Sequence, residues 1–343
     1  MFKYYDNIKI KNKTIKQIFN SDAFKRLDGI KQNGYTGIRL NIDYSRKTHS
    51  IHVAFLTAYF GGTTEDIIHA LLHDIFHTNF SHVVDYLGEN PSESFHEKNK
   101  ANFIESKIMF PIKGYLQEFI DLKKTYIKDI YEFFDESKFP IVKDNKTLAT
   151  DILSYTIDDA LYFDSEKKEN IIDNLNHIHS FKKDNKTYLF SDNSNVSMFF
   201  INLSFKINFE RYCSAWNHAE NYLFASDLKK AIDDRKITFD ELVYGNKSDL
   251  EILEKINISD KLKYFNKEIY KFKSEIKNIF NFDLLIDIKE NRIRLMNPLI
   301  KINNDYKFIS DYSEGTEEFN FNEALKIEVK KILLNTKIYV RKN

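Results

Sequence analysis

The stretch "HALLHDIFHTNFSH", from His69 to His82, sets four histidines and one aspartate among Leu71, Leu72, Ile75 and Phe80. Imidazoles in such apolar company lose water, and a buried polar group costs free energy unless something satisfies it. Hydrogen bonds, a bound metal ion, or both can do so. Seven of the chain's ten histidines fall between His49 and His96, so the concentration reaches beyond this one stretch. His73 and His77 are four residues apart and share a face of any helix that continues through Phe76. Asp74 stands beside His73, and a neutral imidazole with a carboxylate suits Fe, Mn, Zn or Mg-type ions. A His-Asp dipeptide alone means little, because a histidine closing a helix end is the blander reading of the same two letters.

Order along the chain adds to it. "SRKTHS", with Arg46 and His49, precedes His73-Asp74, and "YTIDDALYF", with Asp158, Asp159 and Tyr162, follows it. This ordered set, H…HD…D, resembles the HD-domain metal-dependent phosphohydrolase superfamily. More narrowly, the chain resembles the deoxynucleoside triphosphate triphosphohydrolase branch, which includes the SAM-and-HD-domain dNTPase and bacterial dGTPases. "FKRLDGIKQNG" is similar to that branch's opening helix and "SRKTHSIHVAFLTAYF" to its next one. "ALLHDIFHTNFSH" resembles its "HDxGHxPFSH" segment, "SFHEKNKANFI" its following His-Glu motif, and "IDDALYF" its final-aspartate helix. The likenesses keep their order over residues 15–165, and a looser one continues through "FERYCSAWNHAENYLFASDLKKAI".

The resemblance implies that His49, His73, Asp74 and Asp158 are metal ligands, with Asp159 the alternative for the last position. Asp158 is preferred because Tyr162 lies four residues on, where this branch has a tyrosine near the substrate. The implied reaction is hydrolysis of a dNTP at the α-phosphorus to deoxynucleoside and inorganic triphosphate. His77, His82 and His96 are then the phosphate-contacting set, with His82 an acid or phosphate donor and His96 oriented by Glu97. Histidine suits the task because its unperturbed pKa is near neutrality. Arg46 matches a phosphate-contacting arginine, and its planar fork fits phosphate. Gln32 matches a glutamine on the sugar, and Tyr162 is placed to stack on sugar or base. His52 and His69 read as core or helix-surface residues, or as partners that fix a ligand tautomer. The branch commonly forms oligomers, so a homo-oligomer is expected.

Three departures keep other readings open. The branch's "GHGP" is "FHTN" here, with Phe76 for a glycine and Thr78-Asn79 for Gly-Pro. Asp159 stands where the SAM-and-HD-type enzyme has a lysine for the distal phosphates, and an acid there repels a triphosphate. "KTHS" replaces an acidic "FEHS". A nucleotidase, or a phosphodiesterase acting on cyclic or oligomeric nucleotides, is the alternative enzyme. A nucleotide-binding regulator with little turnover is the alternative of another class.

The elements that must hold these residues read as helices. With four prolines and nine glycines in 343 residues, little interrupts them. "SIHVAFLTAYFGG" predicts a helix closed by Gly61 or Gly62, and Thr63 with Asp66 predicts a capping pair for "EDIIHALLHDIF". Further amphipathic helices are predicted over 99–134 and 148–163, a long one over 196–233, and a charged one over 260–280. "HIHSFKKDNKTYLFSDNSN" predicts a short hairpin or irregular excursion. The last sixty or so residues change character: "DLLIDIKENRIRLMNPLIKI" and "TKIYVRKN" alternate like strands, around a helix predicted at Glu323 to Leu334. The predicted fold is mainly α, an HD-type helical bundle over 1–260 with a small α+β appendage over 261–343.

Lys+Arg and Asp+Glu balance at 51 each, so no global field draws in nucleic acid or an anionic membrane, although a local groove is not excluded. The single cysteine, Cys213, excludes an internal disulfide and suits a reducing cytoplasm. The first residues lack a signal-peptide core, and no apolar run approaches the roughly 20 residues needed to span a bilayer. A cytoplasmic protein with a nucleotide substrate, a divalent metal and no membrane partner is the expectation.

Overall fold

A computed structural model gives the structure of the protein and describes residues 12–88, 95–144, 147–163, 165–212 and 214–263. Of the C-terminal part it describes 271–272, 282–287, 296, 298–302, 305–309 and 337–341. The helices are α1 (Lys13–Asn20), α2 (Asp22–Arg26), α3 (Gly34–Arg39), α4 (Arg46–Tyr59), α5 (Thr64–Leu72), α6 (Phe95–Ile104) and α7 (Phe110–Leu122). After them come α8 (Thr150–Tyr162), α9 (Lys168–Leu175), α10 (Ser194–Ile207), α11 (Ala215–Asp233), α12 (Phe239–Tyr244), α13 (Asp249–Leu253) and α14 (Asp260–Lys263). The mainly α fold with a small α+β part is as the sequence predicts.

Side-chain caps start the helices that matter for function. Ser45 Oγ accepts from Thr48 N–H at the head of α4. Thr63 and Asp66 form the predicted capping box on α5. Between α4 and α5 the chain turns at Gly61, with φ +75°, and at Gly62, whose missing Cβ would meet Thr57 O at 2.8 Å. α4 packs against both α5 and α8, and α8 against α10.

α5 stops sooner than its apolar spacing predicts. Its last residue is Leu72, His73 is the C-cap, and residues 73–76 are a turn. His73 and His77 therefore do not share a helix face. The predicted long helix over 196–233 is likewise broken, by a π-helical turn at Asn208–Tyr212 between α10 and α11. Asn208 Nδ2 donates back to Ser204 O at 2.8 Å there, competing with the backbone ladder.

Two apolar clusters flank the turn. Phe24, Leu72, Phe76, Phe103, Phe133, Phe139 and Phe200 belong to the larger. Tyr35, Phe80, Phe224, Leu228, Leu242 and Ile252 belong to the smaller. Phe76 and Phe80, four residues apart, thus anchor opposite ends of the segment that carries His77.

The predicted hairpin is β1 (Ile178–Lys183) and β2 (Lys186–Ser191), joined through Asp184 and Asn185, both at positive φ as its tight turn requires. β2 pairs in parallel with β5 (Leu299–Ile302), which pairs antiparallel with β6 (Asp305–Phe308), so a C-terminal strand extends the hairpin. A second sheet has the order β3 (Lys271–Phe272), β7 (Lys337–Arg341), β4 (Phe282–Asp287). Of the helix predicted over 260–280, α14 is present and Lys271–Phe272 is strand instead; the rest lies outside the described residues. The helix predicted at Glu323 to Leu334 lies outside the described residues. Among the described residues, no helix is long and apolar enough to cross a membrane.

His69 belongs to the larger core. Its ring stacks on Phe139 at 4.3 Å, and its Nδ1–H donates to Phe133 O at 2.8 Å. Burial pushes the imidazole down to about 3, so it folds neutral. A histidine whose folded pKa lies below its unfolded one takes up its proton only on unfolding, so it lowers stability as pH falls below about 6.5. Urea unfolding of His69→Asn between pH 6 and 4 is expected to show a dependence shallower than wild type by about 1.4 kcal/mol per pH unit.

Candidate metal centre

Three elements converge on one point. α4 brings His49, the turn after α5 brings His73 and Asp74, and the first turn of α8 brings Asp151, all buried. His49 Nε2 and His73 Nε2 face each other at 3.3 Å. Asp151 Oδ1 lies 3.1 Å from His49 Nε2 and 3.7 Å from His73 Nε2. Asp74 Oδ1 is 3.6 Å from His73 Nε2, and its Oδ2 is 3.8 Å from His49 Nε2. His73 Nδ1 lies 2.7 Å from Ala70 O; a carbonyl only accepts, so Nδ1 carries a proton and Nε2 is the nitrogen turned to the cluster.

This donor set fits a divalent ion. Two imidazole nitrogens each about 2.1 Å from one ion, at near right angles, stand about 3 Å apart. Two carboxylates complete the set. Burial pushes Asp74 up, but His73, Arg46 and His77 together hold it well below the usual carboxylate range. Burial likewise opposes ionisation of Asp151, and hydrogen bonds and charge from His49 and His73 outweigh it. His49, His73 and Asp151 offer ligand atoms within 4.8 Å of one another.

Asp158, expected as the last ligand, is elsewhere. Its Oδ2 accepts from the Tyr44 hydroxyl, lies 2.8 Å from His52 Nδ1 and accepts from Ser154 Oγ at 3.3 Å. Asp151, two helical turns earlier on the same face of α8, is the acid of that helix that lies level with His49 and His73. The seven-residue spacing of these two acids was the available signal. Asp159, the alternative, accepts from the Tyr212 hydroxyl, and burial with the Asp158 charge nearby pushes it up to about 7.

The remaining histidines gather on one side of Asp74. His77 Nε2 is 3.3 Å from Asp74 Oδ1, and the His77 ring lies 3.9 Å from that of His96 and 5.1 Å from that of His82. His82 Nδ1 is 3.0 Å from Asp85 Oδ2, and Asp85 Oδ1 accepts from Phe95 N–H at 2.7 Å, tying His82 to the start of α6. Asp85 was missed, although its position three residues after His82 was visible. His96 Nε2 is 3.5 Å from Glu97 Oε1, which also takes Lys143 Nζ at 3.3 Å. His82, Asp85 and His96 form a second group whose geometry could hold a cation. Burial and the Arg46 and His96 charges keep the His77 imidazole well below its ordinary value, and desolvation pushes His82 down to about 4 against the pull of Asp85.

Arg46 has other work than the expected phosphate contact. Nη1 donates to Asp74 Oδ2 at 2.6 Å, Nε to Ser81 Oγ at 3.0 Å and Nη2 to Gln32 O at 3.4 Å. Gln32 Oε1 is buried without a hydrogen-bond partner among the described residues. Tyr162, at the far end of α8, is 49% exposed and packs on Phe163, about three turns from Asp151.

The two acids of α8 can be told apart by metal content. Asp151→Asn is expected to lower bound Mn²⁺ after dialysis by at least about tenfold, with Asp158→Asn retaining it within about threefold. The reverse order, measured by elemental analysis, would return the ligand role to Asp158.

No family model matches the chain. It is 32% identical over 157 residues to a metal-dependent phosphohydrolase, cns2, of Cordyceps militaris, a match spanning 43% of this chain and 40% of that protein. It is 24% identical over 306 residues to the uncharacterized protein YdhJ of Bacillus subtilis, 88% of each chain. Among solved structures it is similar to a phosphohydrolase from Bacteroides thetaiotaomicron, with TM-score 0.61 and 14% identity over 98% of this chain and 97% of that one. A hypothetical protein from Aquifex aeolicus gives TM-score 0.57 and 16% identity over 96% of this chain and 93% of that one. The solved structures show a shared fold, and the chain spans less than half the length of the metal-dependent phosphohydrolase it matches.

Proposed function

We propose that the protein is an HD-type metal-dependent phosphohydrolase acting on nucleotides, and that its reaction is hydrolysis of a dNTP to deoxynucleoside and inorganic triphosphate. One observation carries the reading: His49, His73, Asp74 and Asp151 converge in a buried cluster, with His77, His82 and His96 gathered beside it. The likeness to a metal-dependent phosphohydrolase supports the coarser part of it. His49, His73, Asp74 and Asp151 are the residues to hold the ion, whose identity among Mn, Fe, Zn and Mg stays open.

A bound divalent ion would polarise a phosphoryl oxygen and lower the pKa of a water molecule. The protein's own residues do the rest. Arg46 holds Asp74 in place through Nη1, so the carboxylate needs no reorientation as substrate enters. His77, pressed between Asp74 and the His96 ring, turns its Nε2–H to Asp74 and helps to hold that carboxylate as an anion. His82 gives a proton to the departing 5′-oxygen as the bond from that oxygen to the α-phosphorus breaks and the water oxygen bonds to phosphorus. Asp85 orients its ring for this, and an arriving phosphoryl anion raises its pKa toward neutrality. Asp159 is a weaker objection to a triphosphate than its sequence position suggests, because Tyr212 occupies it and burial brings its pKa to about 7.

A nucleotidase or phosphodiesterase is the second reading, and Arg46 favours it. The guanidinium expected on the phosphates is bound to Asp74, which leaves fewer cations for a triphosphate tail. The homo-oligomer stands with the proposal on resemblance alone, and the cytoplasmic setting on the single cysteine, Cys213.

Product analysis by anion-exchange chromatography, with Mn²⁺ and each of the four dNTPs, tests the reading. Inorganic triphosphate and deoxynucleoside are expected, abolished by Asp74→Asn and slowed by about 10²-fold or more in His82→Ala. Turnover of monophosphates or phosphodiesters in place of dNTPs would establish the second reading. Nucleotide binding with no turnover across several metals would overturn both in favour of a regulator.

A further inference from the structure

The turn that ends on His82 is held by a part of the chain far from the site motifs. Asn79 N–H donates to Leu242 O at 3.0 Å. Asn79 Nδ2 donates to Lys247 O at 3.0 Å and to Asp249 Oδ1 at 2.8 Å, and Phe80 N–H donates to the same Oδ1 at 2.9 Å. The other oxygen of Asp249 accepts from Lys31 N–H at 2.8 Å, one residue before Gln32. The Asp249 side chain is fully buried. It therefore joins the turn to the strand-like Lys31–Ser45 bridge that leads into Arg46.

The opposite end of the turn meets a buried cation. Arg26, 5% exposed, donates through Nη2 to Ile75 O at 3.0 Å and His77 O at 2.7 Å. Asp249 is the charge that acts on it in opposition to burial. At the Asp249 end, Phe80 and Ser81 have φ of +59° and +52°, and a phenylalanine in the left-handed region is strained. Such a conformation persists only where its surroundings over-determine it. Gly34 adds to the enclosure, since a Cβ there would meet Phe80 O at 2.6 Å.

We propose that Asp249 and Arg26 are positioning residues, a buried anion and a buried cation that lock residues 75–82 in the shape that sets His77 and His82 beside Asp74. The segment 242–249 governs turnover in this way without touching substrate. Asn79 is what lets it do so. It stands where the resembled branch has proline, and a proline has neither the N–H nor the side-chain amide that make three of these four bonds. The effect on turnover rests on the function proposed above; the effect on the turn does not.

The test compares Asp249→Asn with Glu251→Gln in the full chain. Glu251 caps the same short helix through Ser248 but makes no bond to the turn. Hydrogen exchange of peptides spanning 75–84 is expected to quicken at least about tenfold in Asp249→Asn and stay within about twofold in Glu251→Gln. With nucleotide and Mn²⁺, kcat should fall at least about tenfold in Asp249→Asn while KM and bound Mn²⁺ stay within about twofold. Asn79→Ala, which removes two of the bonds, should give intermediate values of both and serves if Asp249→Asn does not fold. Unchanged exchange in the folded variants, or a loss of kcat that only tracks a loss of bound metal, would overturn the proposal. If the wild type turns over no phosphoester, the functional reading fails and the exchange result alone decides the lock.

Discussion

Two carboxylates, Asp74 and Asp151, face two imidazoles inside an apolar body, and the surrounding structure is organised around that concentration of negative charge. An isolated ionised carboxylate in such a place would neutralise itself by taking a proton. Here both are held as anions. Arg46 answers one of them, in a pair buried on both sides, and removing one partner of such a pair costs about 3–5 kcal/mol by stranding the other. Asp151 meets the two histidines and feels the Lys143 charge, and a third acid, Asp158, has His52, Ser154 and a tyrosine hydroxyl. Imidazoles, one guanidinium and one ammonium thus hold the acids ionised, and a divalent cation among the Nε2 atoms would take over that role from the imidazole protons.

The same requirement accounts for the early end of α5. Continued helix would turn Asp74 away from His73, and the acid is needed beside it. His73 Nδ1–H bonds back to Ala70 O, the chain leaves the helix, and Asp74 meets Arg46, His73 and His77. The segment is then fastened by rings at both ends, Phe76 against Phe103 and Phe134, Phe80 against Phe224. Phe76 stands in place of a glycine of the resembled branch, yet its ring fills the larger core rather than the space near substrate. Its bulk is directed away from the chemistry.

Much of this was legible in the residues. Local signals sufficed wherever a few neighbouring positions decide: the capping box at Thr63 and Asp66, the hairpin turn at Asp184 and Asn185, the C-terminal strands. The gathering of His49, His73, Asp74, His77, His82 and His96 is what the family resemblance of their motifs implied. What failed was whatever depends on a partner distant in sequence. Asp151 and Asp158 occupy one face of α8, and only the height of α4 and of the turn after α5 decides which acid meets the histidines. Arg46 looked free for phosphate because nothing in "SRKTHS" shows that Asp74, 28 residues on, would claim it. Apolar periodicity ran unbroken through Asn208, where a side-chain amide takes a backbone carbonyl and opens the helix.

The displaced acid still bears on the metal centre. Tyr44 keeps its proton, since burial and the Asp158 charge raise its pKa well above the ordinary value, and it donates that proton to Asp158. Its oxygen is then left as an acceptor, 3.3 Å from His49 Nδ1. Ser154 behaves alike: its hydroxyl donates to Asp158 at 3.3 Å and presents an oxygen 3.4 Å from the same Nδ1. With two acceptors on that side, His49 Nδ1 carries a proton, and Nε2 is the nitrogen turned toward His73 and Asp151. His73 Nδ1 is held in the same way by Ala70 O. Both rings thus keep Nδ1 occupied and leave Nε2 as the nitrogen an ion would take, with release of any proton there, one ring set by a backbone carbonyl and the other by an aspartate acting through a tyrosine and a serine. Asp158 thus helps to orient the His49 ring at one remove, through two hydroxyls that lie beside its Nδ1.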